Sequence, residues 1–163
     1  MNTLTITWDD PAQLAARSRE MAGIEFLAAI RDGALPPAPI QMLLGFALVE
    51  VGEGEITFAS TPGEQHFNPI GVVHAGLAAT LLDSAMGAAV HSTLPAGAGY
   101  TTLETKFNLV RAITLSSGEI RAEGRVVHRG GRVATGEGRV TRAGDGKLLA
   151  HGTSTCLILA GEG

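Results

Sequence analysis

Charged and apolar residues alternate between Glu119 and Val126, with Glu119, Arg121, Glu123 and Arg125 interleaved with Ile120, Ala122, Gly124 and Val126. A period of two with one wet face marks an antiparallel strand, here predicted over 118–128. Further β-type runs cover 44–51, 55–61, 100–110, 132–142 and 147–159. Turn residues separate them: Gly52-Glu53-Gly54, Gly130-Gly131 and Ala143-Gly144-Asp145-Gly146. One segment breaks this grammar. From Leu77 to Val90 the chain is built of Ala, Leu and Met, apolar on every helical face, which is how a fully buried helix reads. Asn68-Pro69-Ile70-Gly71 supplies turn chemistry just upstream, and Pro95 to Gly99 ends the run.

Ahead of these elements, Asp9 or Asp10 before Pro11 resembles an N-cap with Pro in the first turn. A helical segment is expected to about Arg31, with Asp32-Gly33 as its stop and Gly23 as a break point. Leu35-Pro36-Pro37-Ala38-Pro39 is an extended connector. The segment reads as a lid or edge piece, not a separate domain. The pattern is α+β: an antiparallel sheet curled around one central apolar helix, with an N-terminal helical segment. A single domain is expected over 1–163, with 1–39 as helical segment and connector and 40–160 as the core. A helix apolar on all sides needs cover beyond its own sheet, and a second subunit is the natural candidate.

Composition narrows the function classes. At 163 residues with 45% apolar and 17% charged residues, the chain suits one globular domain. It has no uninterrupted apolar run of ~18 residues, so no membrane span is expected. Met1 to Asp10 carries no basic-then-apolar leader, which favours the cytoplasm. The net charge of −4 argues against nucleic acid, although nine of the twelve Lys and Arg lie between Lys106 and Lys147. Cys156 is alone in a strand pattern and reads as a buried, inert thiol. His66 and His74 are eight apart, with no close second His or Cys, so no metal site is expected. Ser84 stands in no Gly-x-Ser-x-Gly setting, and Arg129 to Arg132 lacks P-loop spacing.

Asp83 is the anomaly in the apolar helix. An unpaired buried carboxylate costs several kcal/mol. It therefore either pairs with an Arg or a loop, or serves as a general base or nucleophile in a dry cleft. Asn68 and His74 bring polar side chains upstream. The amides of Ala75 and Gly76 fall at the helix start, where N–H groups lack intrahelical partners and can polarise a carbonyl. Asn68 before Pro69 equally suits an Asx-turn, and His74 a structural role across the loop.

Taken together, these residues resemble the hotdog-fold thioesterases, and among them the phenylacetic-acid-degradation (PaaI-type) acyl-CoA thioesterases. The likeness runs from about Gly23 to Leu159. It rests on Leu44-Gly45-Phe46 on the first strand, Asn68 six residues before His74-Ala75-Gly76, and Asp83 nine after His74. Thr101 to Phe107 and the Asp145 to Ala150 hairpin also carry it. The chain has His74-Ala75-Gly76 where the family commonly has His-Gly-Gly, and Arg111-Ala112 where Arg-Pro is usual. Alanine keeps its N–H, and by this resemblance its added methyl would narrow the acyl pocket or shift substrate preference.

The resemblance implies a homodimer or dimer of dimers with a continuous sheet and active sites at the subunit boundary. One protomer would supply Asn68, His74 and the Ala75/Gly76 amides. The other would supply Asp83 and Thr101 or Thr102. The substrate would be a coenzyme A thioester of a hydrophobic acyl group, aromatic ones included, with no metal or redox cofactor. Arg129, Gly130 and Arg132 are candidates for the CoA phosphates, or simply a turn. Two alternatives stand beside hydrolysis: a hotdog hydratase or dehydratase, and a non-catalytic acyl-CoA binding or sensing module.

Overall fold

The computed structural model describes residues 1–159, so Ala160, the last residue of the expected core, lies outside the described residues. Six strands form one antiparallel sheet: β1 (Phe46–Gly52), β2 (Glu55–Ser60), β3 (Gly99–Leu109), β4 (Ile120–Arg129), β5 (Val133–Arg142) and β6 (Leu148–Leu159). Their order is β1-β2-β4-β5-β6-β3, which leaves β1 and β3 as edges. Four helices accompany them: α1 (Pro11–Glu20), α2 (Gly23–Arg31), α3 (Pro39–Leu44) and α4 (Ala75–Ser92). This is the hotdog fold, with α4 lying in the curve of the sheet. Among the described residues no helix is long and apolar enough to cross a membrane.

The core forms where α4 meets the sheet. Leu81, Leu82, Ala85, Met86 and Ala89 lie fully buried against Ile120, Ala122 and Val140. Gly124 sets how close they come: a Cβ there would sit 2.3 Å from the Ala85 carbonyl carbon, so β4 carries the helix backbone itself. The other side of α4 is covered unevenly. Over its C-terminal half, Gly23 of α2 rests on the His91 backbone, and the Phe26 and His91 rings lie 5.5 Å apart. Over its N-terminal half, Gly76, Ala79, Thr80, Asp83 and Ser84 form a half-buried stripe at helical spacing. The second cover expected for the helix is thus partly supplied by α2, and the stripe carrying Asp83 stays open.

Two boundaries differ from expectation. The first strand begins at Phe46 instead of Leu44, because 39–44 is the helix α3. Pro39 opens it, the Gln41 side chain accepts from the Ala38 amide, and Gly45 closes it in the left-handed conformation at φ 62°. Leu44-Gly45-Phe46 therefore straddles a helix end and a strand start. The N-terminal helical segment is two helices, parted at Met21-Ala22, with α2 docked on α4.

Candidate active site

His74 is the N-cap of α4, and its ring caps the helix. Nδ1 of His74 accepts from the Gly76 amide at 2.8 Å, and the Leu77 amide donates to the His74 carbonyl at 3.1 Å. Among the described residues the Ala75 amide has no acceptor. Of the two amides expected at the helix start, only that of Ala75 is thus free to meet a ligand here. It borders a cleft of about 320 Å³ shared by Asn68, Val72 and the chain from Leu109 to Ile113. His74 and Gly76 border a neighbouring cleft with Leu44, Phe67 and Thr80.

Asn68 organises the loop leading into the helix. Its Oδ1 accepts from the Ile70 amide at 3.1 Å and the Val72 amide at 3.2 Å, while its own amide donates to the Val72 carbonyl. This is the turn role left open by the sequence, and it still leaves the carboxamide nitrogen available at the cleft. His66 is buried and engaged at both ring nitrogens, by the Gly63 amide and the Leu44 carbonyl. It is a structural histidine.

Asp83 projects from the open stripe two turns further on. None of the ion pairs among the described residues includes it. Its Oδ1 accepts from the Thr105 hydroxyl of β3 at 3.0 Å. Thr105 is a neighbour that sequence reasoning missed. A bulge in β3 between Thr102 and Glu104 explains why. Upstream of it Thr102 pairs with Cys156, and downstream Thr105 pairs with Ser154, so the inward-facing parity changes from even to odd. Thr101 is exposed, Thr102 lies opposite Cys156 in the ladder, and neither bonds Asp83. Tyr100 and Phe107 both pack inward although they are an odd number of residues apart, a sequence signal for the slip.

Tyr100 and Cys156 are the titratable side chains of the sheet that feel Asp83. Burial pushes the Tyr100 hydroxyl above its ordinary range, with the charges of Cys156 and Asp83 adding to the effect. Burial likewise raises the Cys156 thiol, against the hydroxyls of Ser154 and Thr102, so this sulfur is no nucleophile at neutral pH.

Two expected groups lie elsewhere in the protomer. Asp83 lies eight positions after Ala75 along α4, about 12 Å of axial rise. β4, which leads into the hairpin of Arg129, Gly130 and Arg132, is tied to the opposite end of α4: the Val126 amide donates to the Gly54 carbonyl, and the Gly54 amide to the Ser92 hydroxyl. Arg129 and Arg132 are exposed.

The sequence profile of the thioesterase superfamily matches residues 70–149, from the Asn68 loop through α4 to the final hairpin. Conserved protein PA5202 from Pseudomonas aeruginosa is 34% identical with a TM-score of 0.70, over 76% of this chain and 95% of that one. A protein from the thioesterase superfamily is 30% identical with a TM-score of 0.67, over 83% and 97%. A putative thioesterase from Ralstonia eutropha, a phenylacetic acid degradation-related protein, is 27% identical with a TM-score of 0.72, over 80% and 98%. No curated protein matches the chain.

Proposed function

The chain belongs to the thioesterase superfamily, and from that premise we propose that it is an acyl-CoA thioesterase acting on a hydrophobic acyl group, aromatic acyl groups included. The observation that carries this reading is Asp83: a carboxylate on the open stripe of an apolar helix, bonded by the Thr105 hydroxyl and in no ion pair among the described residues.

In this reading two copies complete each site. Ala75 and Asp83 of one chain are too far apart to act on one carbonyl, which needs each group within about 3 Å. The edge strand β3 has a free hydrogen-bonding side and exposed Leu103 and Leu109. Antiparallel pairing of two β3 edges sets the Gly99 end of one beside the Leu109 end of the other. The head of one α4 then approaches the middle of its counterpart. The same pairing carries the Arg129–Arg132 hairpin of one copy toward the Ala75 cleft of the other, where the CoA phosphates would meet it.

The chemistry follows from the groups. The Ala75 N–H, at the positive end of the α4 dipole, polarises the thioester carbonyl and holds the oxyanion. Asp83 takes a proton from water as that water attacks the carbonyl carbon, or attacks it directly to form an acyl intermediate that water then cleaves. On the first route the C–S bond breaks and the thiol leaves with the proton that Asp83 took; on the second the thiolate leaves and takes up the proton released when water cleaves the mixed anhydride. Asn68 and His74 shape the loop that presents the amide.

The test is a panel of acyl-CoAs assayed for thiol release, with Asp83→Asn alongside the parent protein. Release from at least one hydrophobic acyl-CoA, reduced by about 10² or more in the variant, is the expected result. Binding without release would mark an acyl-CoA binding module, and water addition to an enoyl-CoA a hydratase.

A further inference from the structure

β3 carries an extra residue, Leu103, at the bulge between Thr102 and Glu104. The bulge is pinned from the neighbouring strand. Ser154 of β6, only 2% exposed, donates its hydroxyl to the Glu104 carbonyl at 3.1 Å. A bulge leaves a backbone group without its ladder partner, and here a buried side chain satisfies it. Just beyond, Thr105 turns inward and stands 3.0 Å from Asp83 Oδ1 and 3.4 Å from Ser154 Oγ. Thr105 has one proton to give. With Ser154 donating to Glu104, that proton goes to the nearer and charged acceptor, Asp83.

Resting on the thioesterase reading, we propose that Thr105, set facing inward by the bulge and by Ser154, is the positioning residue that holds the Asp83 carboxylate for reaction. A carboxylate on an open helix stripe with no ion pair has several rotamers available. One hydrogen bond from a rigid sheet selects among them and leaves Oδ2 for water or substrate. Neither Thr101, which is exposed, nor Thr102, which lies opposite Cys156 in the ladder, bonds Asp83 in this chain.

The test compares Thr105→Val, which keeps the shape and removes the donor, with Thr105→Ser, which keeps the donor. Steady-state hydrolysis of the best acyl-CoA is measured in the parent and in Asp83→Asn backgrounds. Thr105→Val is expected to lower kcat about tenfold or more with KM changed less than about twofold, because a hydrogen bond to a charged group is at stake. Thr105→Ser should recover most of the rate. In the Asp83→Asn background the valine should add no further loss, which a general packing defect would. Parent-like kcat in Thr105→Val beside an impaired Asp83→Asn overturns this inference alone. Full activity in Asp83→Asn overturns the thioesterase site and this inference with it. If the valine variant does not fold, Thr105→Ser against Thr105→Ala decides: an active serine and an impaired alanine support the role, and equal rates overturn it.

Discussion

His74 Nδ1 lies 2.8 Å from the Gly76 amide nitrogen, so the ring occupies the amide that would otherwise compete with Ala75 for a carbonyl. An Nδ1 that accepts requires its proton on Nε2, leaving that edge as a donor at the cleft mouth. The ring thus serves both as helix cap and as cleft wall. His74→Ala should cost about 1 kcal/mol of stability through the lost cap, measured by denaturant unfolding. His74→Asn restores an N-cap acceptor and should recover that stability. Any fall in kcat that persists in His74→Asn then belongs to the Nε2 edge.

Gly87 and Tyr100 are fitted to each other one turn beyond Asp83. A Cβ at Gly87 would stand 2.7 Å from the Tyr100 hydroxyl oxygen. Tyr100 has little freedom to yield, because its ring also packs on His91 at 5.7 Å. Gly87→Ala should therefore destabilise the protein by about 1–3 kcal/mol, outweighing the gain in helix propensity. Removing the hydroxyl gives the methyl room, so Gly87→Ala with Tyr100→Phe should be more stable than the sum of the two single changes. Thermal unfolding of all four proteins checks the coupling.

Some of this architecture was legible in the chain and some was hidden, for separable reasons. Glu119 to Val126 announced a strand because one face is wet, and α4 announced itself because no face of its pattern is. Asp83 was conspicuous as the lone charge in that run. Hidden features were those in which one residue redirects its neighbours. α3 covers only six residues, too few for a helical period to show, and its signals are single residues: Pro39, Gln41 and Gly45. Thr105 was masked by the bulge, since strict alternation from Tyr100 carries odd positions to solvent. The Gly76 amide looked free because a histidine is not among the strongest capping residues.

His91 gives the fold a dependence on pH. It sits in the last turn of α4 between the rings of Phe26 and Tyr100, and burial lowers its pKa below the ordinary 6.5. The unfolded chain then takes up the proton more readily than the folded one. Its neutral ring favours folding fully above the unfolded value, and that contribution is lost as pH falls through it. The melting temperature should accordingly drop between about pH 7.5 and pH 5.5. His91→Phe keeps an aromatic ring in the slot and cannot be protonated, so it should show a smaller drop over the same interval.

Arg129 and Arg132 test the assembly and the ligand together. Both are exposed, and neither joins an ion pair among the described residues, so each can be removed without stranding a partner. The two lie at the end of α4 away from Ala75 in the chain that carries them, and in the proposed dimer they would reach the Ala75 cleft of the other copy across the β3 edge. Groups that hold a remote phosphate bind ground state and transition state alike. The double change Arg129→Ala/Arg132→Ala should then raise KM for an acyl-CoA about tenfold and leave kcat near that of the parent. Added salt should raise KM in the parent more steeply than in the variant, since exposed charge pairs are screened. A substrate trimmed to an acyl-pantetheine thioester, which lacks the nucleotide phosphates, should not distinguish the two proteins. Equal KM values with the full acyl-CoA would place the phosphates elsewhere.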